Sequence, residues 1–125
     1  MIKLIYCLGR LPGLSADQFT SYWAGTHAAL VRRHAATLGI VRYVQSHTIA
    51  PEANAMLKSQ RGLLEPYDGV AEIYFDSLAA LERGNLSLEA QAAQRELTAD
   101  EDRFLDRKRS SLFIAEEHVV IGAAP

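Results

Sequence analysis

Near the start of the chain, the spacing of the hydrophobic positions changes from that of a strand to that of a helix. Residues 2–8 are almost all apolar and end at Gly9 and a Leu-Pro-Gly turn, which is typical of a buried strand. Ser15 follows as a helix N-cap, and Gln18 completes a capping box, so a helix is predicted over residues 16–37. The inward stripe of this helix contains five apolar residues and two histidines: Phe19, Trp23, His27, Leu30, Val31, His34 and Leu38.

Three further segments are rich in β-branched and aromatic residues and predict strands. They cover residues 40–47, 70–75 and 112–121. Between the last two of these, Ser77 caps a second helix, which is interrupted at Gly84-Asn85, restarts near Ser87 and continues to Ser110.

Residues 51–66 lose the strand pattern and predict a long surface excursion, with a short helix over residues 53–61 and a break at Gly62. Excursions of this length in small domains often carry function. We therefore expect residues 51–62 to form a lid that sets the size of a ligand.

The order of these elements, β-α-β-β-α-β, predicts an α+β fold of the ferredoxin-like type in one domain over residues 1–125. In this arrangement a four-stranded antiparallel sheet carries both helices on one face. The other face stays uncovered, and apolar strand residues there would expose more apolar area than is usual for a monomer. A homodimer is the expected solution.

Composition and charge narrow the class of protein. The chain has 125 residues, of which 49% are hydrophobic, and its net charge is −2, which argues against nucleic acid or an anionic membrane as a partner. Cys7 is the one cysteine, so no internal disulfide forms. No apolar stretch has the length of a membrane span or a secretory signal, and we expect a cytoplasmic protein.

The four histidines are the first candidates for chemistry. His27 and His34 are seven residues apart, so their rings would lie about 10 Å apart on one helix face, too far to share a metal ion. Dinucleotide, P-loop, nucleophile-elbow and Cys-x-x-Cys motifs are absent from the sequence. We expect no metal site and no cofactor.

Strand alternation groups polar side chains into three sets. They are Tyr43, Gln45 and His47 on the second strand, Asp68, Glu72 and Tyr74 on the third, and Glu116 and His118 on the last. If these sets share a face, the sheet carries a polar cluster. A histidine beside a carboxylate and a phenol in an apolar pocket suits general acid–base catalysis, because its neighbours fix the tautomer. The sequence leaves open which faces coincide.

Four motifs in this order resemble the EthD-domain family, and the resemblance covers nearly the whole chain. They are Tyr22-Trp23-x-x-x-His27-Ala28-x-Leu30-Val31, Tyr43-Val44-Gln45-Ser46-His47, Tyr67-Asp68-Gly69-Val70-Ala71-Glu72, and the closing Glu116-Glu117-His118-Val119-Val120-Ile121. The family belongs to the dimeric α/β-barrel superfamily, in which two ferredoxin-like protomers pack sheet to sheet. Related members include polyketide cyclases, small lyases and cofactor-free monooxygenases that bind a small hydrophobic molecule.

The resemblance implies a cofactor-independent enzyme of the lyase, cyclase or monooxygenase type that acts on a hydrophobic carbonyl or aromatic compound. We expect His27 or His47 to act as general base, oriented by Tyr43, Glu72 or His118. Five side chains are expected to bind the ligand: Tyr22, Trp23, Val31, Tyr74 and Phe104.

Two alternatives stay open at this point. The protein could be a non-catalytic carrier of a hydrophobic ligand, including haem held by a histidine. Alternatively, all four histidines serve only the packing of the fold. Whether the protein is an enzyme is therefore left open by its sequence.

Overall fold

The computed structural model describes residues 1–123 and contains four strands in one sheet. The strands are β1 (Ile2–Leu8), β2 (Arg42–His47), β3 (Gly69–Phe75) and β4 (Ser111–Glu116). The helices are α1 (Ala16–Tyr22), α2 (Ala28–Leu38), α3 (Pro51–Arg61), α4 (Leu78–Arg83) and α5 (Leu88–Glu101). A π-helical segment, Trp23–His27, joins α1 to α2, and a 3₁₀ turn, Arg107–Arg109, precedes β4.

The sheet is antiparallel with strand order β2-β3-β1-β4, which confirms the predicted ferredoxin-like α+β fold. In its register, Tyr6 of β1 lies opposite Ala71 of β3 and Leu112 of β4. The helices pack on the face that carries Tyr6 and Ala71, where the main core cluster also includes Trp23 and Phe104. Among residues 1–123, no helix combines the length and the apolar composition that crossing a membrane requires.

Local signals placed most helix ends correctly. The capping box of Ser15 and Gln18 is formed, and Gly39 ends α2 in the left-handed conformation. Ser77 and Ser87 cap α4 and α5 on either side of the predicted interruption. The excursion contains α3, which begins two residues earlier than expected and ends at Gly62.

Several predicted boundaries were wrong because contacts between distant segments override the local pattern. The second long helix ends at Glu101, since Phe104 and Leu105 are buried in the turn that follows, where they pair with the backbone of Arg10 and Leu11. The last strand ends at Glu116 rather than residue 121. The second strand begins at residue 42 rather than 40.

Trp23 is the largest fully buried side chain, with 1% of its surface exposed, and it packs onto the sheet over Gly69. A Cβ added at Gly69 would lie 2.4 Å from Cζ3 of Trp23, closer than packing allows. Glycine at this position therefore sets how near the helix layer comes to β3.

We predict that Gly69→Ala destabilises the protein by about 1–3 kcal/mol, since the added methyl group forces Trp23 away from the sheet. Urea unfolding followed by the fluorescence of Trp23, the one tryptophan in the chain, measures this change.

The matched control is Gly25→Ala in the π-helical segment. A Cβ at Gly25 meets no heavy atom within 4 Å, and alanine in a helical backbone is expected to add about 0.5–1 kcal/mol of stability. Equal unfolding midpoints for the two variants would contradict the constraint that we assign to Gly69.

Candidate functional site

The π-helical segment Trp23–His27 interrupts what the sequence predicted as one continuous helix. Single π turns inside α-helices are rare and are frequent at functional sites. Here the wider turn buries both Trp23 and His27 on the side of the helix that faces the sheet and α5, while Gly25 between them stays exposed. The segment therefore directs two of the predicted site residues inward.

His47 lies at the end of β2, on the strand face that also carries Tyr43 and Gln45. Its ring stacks against Trp23, with 4.5 Å between ring centroids. The Gln45 amide nitrogen donates to the backbone carbonyl of Trp23 at 2.9 Å and to the Tyr43 hydroxyl at 3.1 Å. The predicted grouping of Tyr43, Gln45 and His47 is confirmed as one hydrogen-bonded chain.

This chain of hydrogen bonds fixes the tautomer of His47. Because the Gln45 amide nitrogen donates to Trp23 and Tyr43, Gln45 Oε1 faces His47 Nε2 at 2.9 Å and accepts a hydrogen bond from Nε2–H. In the neutral ring, Nδ1 then keeps its lone pair, and it has no hydrogen-bond partner within residues 1–123. Burial raises the pKa of Tyr43, so its phenol stays protonated at neutral pH.

His47 opens onto a hollow of about 380 Å³ under the first turns of α3. Its lining combines apolar and polar side chains: Ser46, His47, Thr48, Ile49, Asn54, Pro66, Tyr67 and Val70. Thr48 Oγ1 donates to the backbone carbonyl of Tyr67 at 2.6 Å, which ties the two segments flanking α3 together. An imidazole with a free lone pair thus lies at the wall of a shallow, open hollow.

A larger cavity of about 700 Å³ lies between α1 and α3. Phe19 forms its inner wall, and five of its lining residues also line the smaller hollow: Thr48, Ile49, Asn54, Pro66 and Tyr67. Residues of α3 therefore line both spaces, although only Asn54 of the helix reaches the smaller one. None of the predicted catalytic residues, His47 included, lines the larger cavity.

His27 sits in a second cluster, built around Asp100 of α5. Its Nδ1 lies 2.8 Å from one oxygen of Asp100, and the Tyr22 hydroxyl donates to the other oxygen at 2.5 Å. The Phe104 ring packs on the imidazole with 4.8 Å between centroids. Burial and the bond to Asp100 raise the pKa of Tyr22. Tyr22, His27 and Phe104 are thus brought together, but the His27 side chain is only 9% exposed.

Val31 is buried in α2 and lines a crevice of about 310 Å³ together with Tyr43. His34, the other inward histidine of the predicted stripe, is bonded to Glu96 of α5 at 2.8 Å. Neither residue lines the hollow that contains His47.

Glu72 and Tyr74 lie on the opposite face of the sheet from His47, so the polar sets of β2 and β3, whose faces the sequence left open, do not form one cluster. There, Lys3 donates to Glu72 at 3.2 Å and to Glu117 at 2.9 Å, and the Tyr74 hydroxyl donates to the same two carboxylates. Desolvation opposes the charge of Lys3, but its bonds to Glu117 and Glu72 outweigh this effect and raise its pKa.

His118 lies beyond the end of β4, and 79% of its side chain is exposed. Its Nε2 is 3.9 Å from Glu116, and the structure places it in none of the cavities described above. The expected position on a strand was wrong because Glu117 makes the last backbone bond to β1, through Met1.

Three residues of these clusters were not predicted as site residues. The alternation of β2 placed Gln45 beside His47 but did not predict its hydrogen bonds. Nothing in the sequence near Asp100 or Lys3 indicated a site residue. Asp100 and Lys3 each partner a residue about 70 positions or more away, so only the folded chain reveals these two pairs. Within residues 1–123, no three His, Cys, Asp or Glu side chains converge to hold a metal ion.

The sheet, its helices and the paired polar clusters define an α+β protein of the ferredoxin-like class. The EthD domain family matches residues 11–108, and the chain belongs to this family. None of the curated proteins compared with the chain gives a significant match.

Solved structures show the same fold at low identity. An EthD family protein from Bacillus halodurans is 24% identical, with a TM-score of 0.62 over 94% of this chain and 99% of its own. An EthD-like protein from Ralstonia eutropha is 17% identical, with a TM-score of 0.64 over 98% and 95%. A dimeric ferredoxin-like protein of unknown function from Bacteroides fragilis is 11% identical, with a TM-score of 0.58 over 93% and 95%.

We predict that Lys3→Met reduces the dependence of stability on acid pH. The hydrogen bond from Lys3 lowers the pKa of Glu117 below its ordinary value of 4.5. A lowered pKa in the folded state contributes stability above pH 4.5 that is lost as the pH falls further. Without Lys3, the free energy of unfolding should therefore fall less steeply between about pH 5 and pH 3.

Urea unfolding at a series of pH values measures this slope. Lys58→Met is the matched control, because Lys58 pairs with Glu65 on the exposed excursion and should leave the slope unchanged. An unaltered slope in Lys3→Met would show that the cluster does not hold Glu117 ionised.

Proposed function

We propose that this EthD-domain protein is a cofactor-independent enzyme of small-molecule metabolism, with His47 as its general base. The substrate would be a hydrophobic carbonyl or aromatic compound, and the reaction would be of the lyase, cyclase or monooxygenase type. The observation that carries the proposal is the bond from His47 Nε2 to Gln45, which leaves Nδ1 as the proton acceptor beside a hollow.

His47 suits this role better than His27. The ring of His27 is almost fully enclosed and its Nδ1 is held by Asp100, so the bonds that it makes join the π-helical segment to α5. The ring of His47 is half-buried, lies at the edge of a hollow and packs on Trp23, which keeps water from one side of it. We therefore assign His27 to positioning the segment that carries Trp23.

The proposed step is removal of a proton from a carbon next to a carbonyl group. His47 Nδ1 takes the proton, and Gln45 Oε1 keeps its hydrogen bond to Nε2–H and stabilises the imidazolium. Tyr67 lines the same hollow and offers a phenol that can donate to the enolate oxygen. The imidazolium then returns the proton to another atom of the substrate, which completes an elimination, cyclisation or isomerisation.

We predict that the protein accelerates the elimination of 5-nitrobenzisoxazole, an uncharged aromatic probe for a positioned base. In this reaction the base takes the ring C–H proton while the N–O bond breaks, giving a coloured nitrile phenolate. His47→Asn should lower kcat/KM by about 10- to 100-fold, the lower range for loss of a general base. Absorbance of the phenolate measures the rate.

His34→Asn is the matched control, because His34 is bonded to Glu96 away from the hollow and should retain the wild-type rate. Gln45→Leu should also slow the reaction, since the tautomer of His47 is then no longer fixed. A His47→Asn protein that is folded and as active as the wild type would reject His47 as the base. That result would leave the carrier function as the better reading.

We further propose that the protein acts as a homodimer that buries the helix-free face of the sheet. This face carries a row of apolar side chains: Ile5, Cys7, Val44, Val70 and Phe113. In the register Glu72 lies between Val44 and Ile5, so apolar side chains surround the Lys3–Glu72 pair on this face. Phe113 is 46% exposed, and apolar side chains grouped on an uncovered sheet face favour association. The Bacteroides fragilis protein of the same fold is described as dimeric.

We also propose a cytoplasmic location. The one cysteine of this EthD-type domain is unpaired, and free thiols are typical of the reducing cytoplasm.

Sedimentation is expected to give twice the mass of the chain for the wild type. Phe113→Asp should shift the protein to the monomer, because the dimer would bury an unpaired charge on the helix-free face. Leu86→Asp is the matched control, since Leu86 is also an exposed apolar residue but lies between α4 and α5, away from this face. A dimeric Phe113→Asp protein would contradict this interface.

A further inference from the structure

The cavity of about 700 Å³ between α1 and α3 has the size of a small-molecule site. Its apolar wall is made by Phe19, Ile49, Leu63, Pro66 and Tyr67. Two of these residues are aromatic, which suits flat ring systems. The cavity is therefore large enough for a ligand of two or three fused rings.

The charges in the wall are already neutralised by one another. Arg10 Nη1 lies 3.6 Å from Asp68, whose other oxygen accepts the backbone N–H of Arg10 at 2.8 Å. Lys58 is paired with Glu65 across the excursion. Among the described lining residues these are the charged ones, two cations and two carboxylates. An anionic ligand would have to displace a carboxylate from its partner, and a cationic ligand would have to displace an ammonium or guanidinium group.

The cover of the cavity is the least buried helix of the fold. Every residue of α3 keeps contact with solvent, and both flanking positions, Ala50 and Gly62, have left-handed backbone conformations. A segment with few buried contacts opens at low free-energy cost. The pair Lys58–Glu65 then closes the helix onto the segment that returns to β3.

We propose that this cavity binds an uncharged, largely aromatic molecule, and that the paired charges in its wall select against ligands with a carboxylate or sulfonate. Because the cavity shares Ile49, Asn54 and Tyr67 with the hollow at His47, a bound ring system extends its reactive end towards Nδ1 of that residue. The substrate is thus a neutral aromatic carbonyl compound rather than an aromatic acid. The ligand class rests on the charges alone, whereas its being a substrate rests on the proposed function.

Two fluorescent probes that differ by one sulfonate test the ligand class. N-phenyl-1-naphthylamine is neutral, and 8-anilino-1-naphthalenesulfonate carries the added negative charge. We expect the neutral probe to bind with energy transfer from Trp23, whose ring lies 5.5 Å from that of Phe19. The sulfonate should bind at least about fivefold more weakly than the neutral probe, since it must break an ion pair in the cavity wall. Equal affinities would overturn the selection for neutral ligands.

Variants on α3 test the location. Ala55→Phe adds a ring inside the cavity and should weaken the neutral probe by about tenfold or more. Ala53→Phe is the matched control, since Ala53 is exposed on the same helix and lines neither the cavity nor the hollow. Equal effects of the two variants would overturn the assignment of the site.

Glu65→Gln tests the charge argument directly, because it frees Lys58. This variant should raise the affinity for the sulfonate relative to that for the neutral probe by about fivefold. An unchanged preference would overturn the role of the paired charges. His47→Asn should still bind the neutral probe, so a loss of elimination activity in this variant tests the proposed base. A loss of probe binding in Ala55→Phe tests the proposed cavity instead.

Discussion

The contact between Trp23 and Gly69 is the constraint on which the candidate site depends. The indole ring reaches the sheet only because residue 69 has no side chain. From that position its backbone carbonyl accepts the amide of Gln45, and its ring stacks on His47. One side chain thus couples the helix layer, the strand and the orientation of the imidazole. The π-helical segment and its bond to Asp100 hold the tryptophan in that place.

The sequence predicted most of the fold because its signals are local. The capping box at Ser15, the glycine at residue 39 and the break at Gly84-Asn85 each act over a few residues, and each was found where it was expected. The assignment of Phe104 to the second long helix was wrong because its spacing also fits a helical stripe. In the structure it is buried through a turn that pairs with Leu11, and only the tertiary arrangement distinguishes the two.

The candidate site was predicted in parts but not as a whole. Alternation along β2 grouped Tyr43 with His47, and alternation along β3 grouped Glu72 with Tyr74. Period-two patterns say nothing about which face of the sheet the helices cover, so the relation between the two groups was open. Contacts between residues distant in sequence, such as Lys3 with Glu117, show which face each group lies on. They hold Glu72 and Tyr74 on the helix-free face.

The two faces of the sheet carry different kinds of polar group. The helix-free face carries an ion-pair cluster, and the helix-covered face carries the candidate catalytic histidine. On one face, Lys3 and its two carboxylates join the first strand to the last through contacts that involve no cavity. On the other, His47 stands on a central layer of packed aromatic rings while its cover, α3, contributes no buried residue. A reacting group needs a rigid support, and a ligand needs a cover that opens without disturbing that support. Since α3 can move without breaking the bond between Gln45 and His47, this fold meets both needs at once.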